Sequence, residues 1–268
     1  MDNRYLKRIV CSIKRMTKIG SDPDFLIIGA QKAGTTSLFN YIKEYAENFV
    51  SPYYKELYFF TENYYRGIDF YRAFFPVKLK GQITGEATPD YLFYHKTPKL
   101  VKKHYPHIKL VVILRDPIYR AYSQYCHQNF TYKTMANDPL SFSDAIMLEE
   151  KRFYVQEESK FFYEYKYYSY KKRGIYYEQL DRWFSYFDRS QFFILEISEL
   201  GNKERILELF DFLGLKPKKS FKNAVLRKFN TNVYRKSIKK EDFTFLRNFF
   251  CDKNQKLFRL LGKEYNWE

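Results

Sequence analysis

Residues 25–38 read FLIIGAQKAGTTSL. Four apolar residues, Phe25 to Ile28, run into Gly29. Ala30, Gln31, Lys32, Ala33 and Gly34 follow, and Thr35, Thr36 and Ser37 open a helical pattern. The stretch predicts a buried strand, a tight glycine-bounded loop and a helix N-terminus. That arrangement turns several backbone N–H groups and the positive end of a helix dipole towards one point, which suits an anion such as a phosphate.

The spacing of Gly29 and Gly34, five apart, is close to that of a P-loop. A P-loop, however, has Lys-Ser/Thr directly after its second glycine. Here Thr35-Thr36 stand there and the lysine, Lys32, lies inside the loop.

Outward from this stretch, apolar runs alternate with helical patterns. Residues 109–114 (KLVVIL) form a run with no alternation, the pattern of a strand covered on both faces of a parallel sheet. Arg115-Asp116-Pro117 ends it, and Pro117 suits the first turn of a helix over 117–129. Further strands are expected at 82–86, at 191–197 and in the apolar tail of 51–60, with Lys55-Glu56 at the entrance of the last. Helices are expected at 34–46, 97–105, 203–213 and 241–261, the last two closed by Gly214 and Gly262. Residues 141–187 read as helical, rich in Tyr and Phe and broken at Arg173-Gly174. Strands alternating with helices predict an α/β fold: a single domain over 25–268, its mostly parallel sheet flanked by helices. Residues 1–24 read as a basic amphipathic lead-in.

Composition narrows the function. With 45% hydrophobic and 29% charged residues in 268, the chain is a globular one with enough length for a sizeable core. The 27 Tyr and 27 Phe are read mainly as core filling. A net charge of +16, from 47 Lys and Arg against 31 Asp and Glu, points to an anionic partner. Cys11, Cys126 and Cys251 are odd in number and lack metal-ligand spacing, so neither a disulfide framework nor a zinc site is expected. The absence of a long apolar run gives the expectation of a soluble, cytoplasmic protein in a reducing compartment.

Ligands of open α/β sheets bind at the carboxyl ends of the strands. Three predicted strand ends carry polar residues: Gln31-Lys32, Glu86 and Arg115-Asp116. A rim salt-bridge network accounts for any one of them; three beside an anion cradle favour a site. A P-loop phosphoryl-transfer enzyme needs an Asp at the end of a second apolar strand to manage Mg²⁺. Here KLVVIL runs first into Arg115, which repels a metal and attracts an anion. The expectation is therefore a site for an anionic nucleotide without a metal. A nucleotide or small-molecule kinase using the same cradle is the rival. A nucleic-acid-binding protein is disfavoured by the lack of any recognition motif.

These residues resemble the sulfotransferases that use 3′-phosphoadenosine 5′-phosphosulfate (PAPS), closest to their heparan-sulfate-type and bacterial glycan branch. IIGAQKAGTTSL looks like that family's 5′-phosphosulfate loop. VVILRDPIYRAYSQY looks like its 3′-phosphate motif, with Leu114, Arg115, Asp116, Pro117, Arg120 and Ser123 in the family spacing. KELYFF, GEATPDYLF, RGIYYEQLDRWFSYF and KLFRLLGKEYNWE also look like family segments.

The resemblance implies that Gln31, Lys32, Ala33, Gly34, Thr35, Thr36 and Ser37 bind the donor's 5′ end. Lys32 would stabilise charge on the leaving oxygen, and Arg115 and Ser123 would hold the 3′-phosphate. Glu56 would be the general base, acting on a hydroxyl or amine of a carbohydrate-type acceptor. Adenosine 3′,5′-bisphosphate is the implied product. Lys55 and Glu86 are candidates for contacting the acceptor or supporting the site, and Lys228, Asn230, Tyr234 and Arg235 for covering the nucleotide. The heparan-sulfate enzymes commonly carry a lysine after the glutamate that Glu86 matches; this chain has Ala87.

Overall fold

The computed structural model describes residues 11–12, 14, 16–17, 19–131, 137–153, 158–227 and 237–267. Four strands form one all-parallel sheet: β1 (Phe25–Gly29), β2 (Gly85–Ala87), β3 (Lys109–Leu114) and β4 (Phe192–Glu196), in the order β2-β1-β3-β4. Leu26 stands opposite Glu86 and Leu110, and Val112 opposite Ile194. Every residue of β1 and β2, and Leu110–Leu114 of β3, is buried. Burial on both faces is why these runs are apolar without alternation.

The helices from β1 onwards, among the described residues, begin with α1 (Thr35–Tyr45), α2 (Ile68–Arg72), α3 (Thr97–His104), α4 (Pro117–Cys126) and α5 (Phe142–Met147). They continue with α6 (Glu149–Arg152), α7 (Glu158–Tyr168), α8 (Tyr176–Phe184), α9 (Lys203–Leu213) and α10 (Lys240–Leu261). Their ends follow local chemistry. Asp116 caps α4 by accepting from Ile118 N–H at 2.8 Å, with Pro117 at the first helical position. Asn202 caps α9, accepting from Glu204 N–H at 2.9 Å and Arg205 N–H at 3.2 Å. Gly214 and Gly262 close α9 and α10 in the left-handed conformation. Ile206, Leu209, Phe210 and Leu213, at helical spacing, are the buried face of α9.

Two expectations differ from the structure. Residues 57–60 form no strand: Phe59–Asn63 is a π-helical turn entered through left-handed Tyr58, so Glu56 does not open a strand of its own. Phe59 and Phe60 are buried in aromatic packing with Tyr71 and Tyr91 instead of in the sheet. The strand expected at 82–86 is shorter and shifted to Gly85–Ala87, with Ile83 making an isolated parallel bridge to Phe49. Glu86 therefore lies within β2 and not beyond its end.

The chain divides into two compact units. The first, residues 1–114 and 182–230, holds the whole sheet. The second comprises residues 115–181 and 231–268. Its core joins Ile118 and Ala121 of α4, Phe142 and Ile146 of α5, Tyr168 and Tyr170, and Leu246 and Phe250 of α10. No helix among the described residues is long and apolar enough to cross a membrane.

Candidate active site

In the first unit, the loop after β1 is tied to the sheet by Ala30 N–H, which donates to Ile113 O at 2.8 Å. Ala33 N–H returns to Ala30 O at 3.2 Å, closing a tight turn with Lys32 at φ 66°. Gly34 then enters α1 at φ 96°. A Cβ at Gly34 would lie 2.6 Å from Leu200 Cδ1, so conformation and close packing both demand glycine. Gly34 brings no side chain to cap α1, and the first turn carries no acid. The donors gathered here are one ammonium, three hydroxyls and the first-turn amides, with no carboxylate among residues 30–37. That set fits a multiply charged anion. Ala33, Thr35 and Ser37 are buried, while Gln31, Lys32, Gly34 and Thr36 are half-buried. Gln31 Oε1 has no hydrogen-bond partner among the described residues.

Glu56 sits on an unusual backbone. It has φ 61°, and Tyr58 has φ 50°. Left-handed conformations at residues other than glycine cost about 1–3 kcal/mol each and persist only where surroundings enforce them. The turn is held internally: Leu57 O accepts from Asn63 Nδ2 at 3.2 Å, and Tyr58 O accepts from Glu62 N–H at 2.8 Å. The Glu56 carboxylate, a third exposed, pairs through Oε1 with Lys55 Nζ and accepts from Tyr58 OH at 2.6 Å through Oε2. Burial, and then the Glu56 charge, push the Tyr58 phenol far above its usual range, so it serves Glu56 as a donor.

Glu86 lies beneath that turn. It is fully buried and surrounded by donors: Tyr71 OH at 2.6 Å and Tyr91 OH at 2.7 Å to Oε1, and Thr88 Oγ1 at 2.8 Å to Oε2. Leu57 N–H adds a longer contact of 3.4 Å to Oε2. Burial raises the Glu86 pKa and the donors pull it back. Its contact with Leu57 N–H, and the link through Tyr91 OH to Phe59 N–H at 3.0 Å, tie Glu86 to the segment after Glu56. Sequence reasoning did not single out Tyr58, Tyr71 or Tyr91; Tyr91 follows Pro89 in a 3₁₀ turn directly after β2. Ala87, where a lysine commonly stands in the heparan-sulfate enzymes, is fully buried and pairs with Ile27.

In the second unit, Arg115 is half-buried and its carbonyl accepts from Tyr176 OH at 2.8 Å. Ser123 is buried on α4. Arg120, in the same ten-residue pattern, is wholly buried. It donates to Gln124 Oε1 at 2.8 Å and to the Tyr170 carbonyl, and burial lowers its pKa to about 10. Asp116 is the α4 cap. Within this motif, Arg120 and Asp116 thus build the fold; Arg115 and Ser123 are the two residues that the resemblance assigns to the 3′-phosphate. Lys228, Asn230, Tyr234 and Arg235 lie outside the described residues.

A family model for the sulfotransferase domain matches residues 22–264. This chain belongs to the sulfotransferase domain family. The match takes in the loop after β1, Glu56 and the Arg115–Ser123 motif. Human heparan sulfate glucosamine 3-O-sulfotransferase 6 is 29% identical over 203 residues, covering 72% of this chain and 53% of that protein. Mouse heparan sulfate glucosamine 3-O-sulfotransferase 3B1 is 27% identical over 92% of this chain and 65% of its own length. The chain therefore spans less than two thirds of these relatives. Among solved structures, a sulfotransferase from Alicyclobacillus acidocaldarius superposes with a TM-score of 0.73 at 26% identity, over 91% of this chain and 98% of that one. Mouse sulfotransferase SULT7A1, solved with PAP, shares the fold at a TM-score of 0.54 and 15% identity, over 95% of this chain and 94% of its own.

Proposed function

We propose that this sulfotransferase moves the sulfuryl group of PAPS onto a hydroxyl or amine of a carbohydrate-type acceptor, with Glu56 as general base. The observation that carries the reading is the loop after β1. A lysine inside the loop and an acid-free, glycine-entered helix start favour an anion there. The named activities of the heparan sulfate relatives support a glycan acceptor.

When bound, the donor supplies an activated sulfuryl group. Lys32 and the amides and hydroxyls of residues 34–37 hold its 5′ end, with Gln31 and Ala33 shaping the loop. Lys32 offsets charge developing on the leaving oxygen. Arg115 and Ser123 take the 3′-phosphate, the group that separates PAPS from ATP. Glu56 accepts the acceptor's proton, and Lys55 and Tyr58 hold its carboxylate in place meanwhile. Lys228, Tyr234 and Arg235 are assigned to covering the nucleotide. Lysine and arginine provide all the positive charge this scheme needs, so it runs without a metal. We propose a reducing, cytoplasmic setting, which the odd number and wide spacing of Cys11, Cys126 and Cys251 favour.

Isothermal titration of the full chain tests the donor. Adenosine 3′,5′-bisphosphate should bind, and transfer of label from ³⁵S-PAPS to heparan-type glycans, unaffected by EDTA, should follow. Binding of ATP–Mg²⁺ with no response to the bisphosphate would turn the assignment to a kinase.

A further inference from the structure

Glu56 and Tyr58 both adopt left-handed backbone conformations, and the amides that anchor this segment lie on either side of Tyr58. Leu57 N–H reaches Glu86 Oε2 at 3.4 Å, and Phe59 N–H donates to Tyr91 OH at 3.0 Å. Tyr91 OH in turn donates to Glu86 Oε1 at 2.7 Å. One buried carboxylate thus grips the segment twice, weakly by direct contact and more firmly through a tyrosine. Glu86 stands in β2 opposite Leu26 of β1, the strand that leads into the Lys32 loop. The path from the sheet to Glu56 runs Glu86, Tyr91, Phe59 N–H.

We propose that Glu86 and Tyr91 are positioning residues: they hold the left-handed turn that presents Glu56, and so set the place of the base relative to the β1 frame. Neither touches the substrate. Glu86 lacks any exposed surface, and Tyr91 is equally enclosed. An ordinary buried carboxylate needs its charge satisfied, and Tyr71 and Thr88 already contribute to that. The extra link from Tyr91 OH back to Phe59 N–H serves the turn. The tyrosine hydroxyl is suited to it because it donates downwards to Glu86 and accepts from the amide above.

This inference rests on Glu56 being the base, but its first readout does not. In the full chain, Tyr91→Phe is compared with Tyr105→Phe. Tyr105 is another buried tyrosine of the same aromatic cluster and gives a hydrogen bond to a different carboxylate, Asp22, at 2.7 Å. Hydrogen exchange of the Phe59 amide should lose protection in Tyr91→Phe and keep it in Tyr105→Phe. Turnover should fall about 10²-fold in Tyr91→Phe, the scale of a misplaced catalytic group, with donor KM and bisphosphate affinity unchanged. Tyr105→Phe should keep its kcat. Unchanged Phe59 protection, or equal kcat losses in the two variants, would overturn the positioning role. Should Tyr91→Phe not fold, Glu86→Gln carries the same comparison, with protection expected to fall at both Leu57 and Phe59. Absence of bisphosphate binding in the parent would instead count against the sulfotransferase reading, and the exchange comparison would still decide the positioning role.

Discussion

Glu56 holds its carboxylate between two donors of different kinds, an ammonium from Lys55 and a phenol from Tyr58. The phenol's raised pKa keeps it a donor across the working range, so the Glu56 oxygen it binds stays oriented. Replacing Glu56 by Gln preserves size and the Tyr58 contact while removing the basic oxygen. On the proposed mechanism, turnover falls about 10²–10⁴-fold and bisphosphate affinity holds. Initial rates with labelled donor, paired with titration calorimetry, check both halves; full activity would remove Glu56 as base. The two arginines of the second motif make a parallel contrast. They look alike in sequence, yet Arg120 is enclosed with backbone and amide partners while Arg115 is half-buried. Burial separates the one that builds the fold from the one proposed to hold the 3′-phosphate.

At the scale of elements, the loop between β1 and α1 has no room for variation at Gly34. Gly34→Ala meets both a disfavoured φ and a contact 2.6 Å from Leu200 Cδ1. We expect destabilisation of about 1–3 kcal/mol and loss of bisphosphate binding, read by urea unfolding and calorimetry. Binding at parental affinity would show that this loop does not hold the nucleotide. The loop, the α/β class and the parallel sheet were legible in the sequence because each rests on local signals: unbroken apolar runs, caps and glycine stops. β1, β3 and α9 follow those signals closely. The segment 55–60 was not legible. Its apolar tail, Leu57-Tyr58-Phe59-Phe60, has strand composition, and a short apolar run does not reveal its backbone. What decides it is tertiary: aromatic packing on Tyr71 and Tyr91, and anchorage to Glu86 some thirty residues away in sequence. Candidate site residues were named where a motif carries them, whereas the tyrosines that hold Glu56 and Glu86 gave no local signal.

For the whole molecule, a buried acid links stability to pH. Glu149 is enclosed in the second unit, where it accepts from the N–H groups of Lys171 at 2.5 Å and Lys172 at 2.9 Å. Burial raises its pKa from 4.5 to about 7, against the pull of those donors. Between those values the folded chain keeps a proton that the unfolded chain has released. The stabilisation is complete below 4.5 and is lost as pH rises through about 7. Burial lowers the pKa of His95 and His104, which gives a slope of the opposite sign. Comparison with Glu149→Gln isolates the acid: the parent's urea midpoint should fall relative to the variant's as pH rises through that window. Parallel curves for the two proteins would refute the linkage.

The left-handed backbone at residue 56 also bears on how this sequence changes over time. Glycine and asparagine suit that conformation better than glutamate does. On the proposed mechanism, selection for a sturdy fold and selection for proton transfer therefore pull this codon in different directions. In a lineage released from the need to turn over substrate, residue 56 should drift early, while Gly34, demanded by geometry alone, stays. With Glu56 as the proposed base, the pair of positions then serves as a clock: Gly34 reports that the scaffold is kept, and Glu56 that the catalyst is still in use.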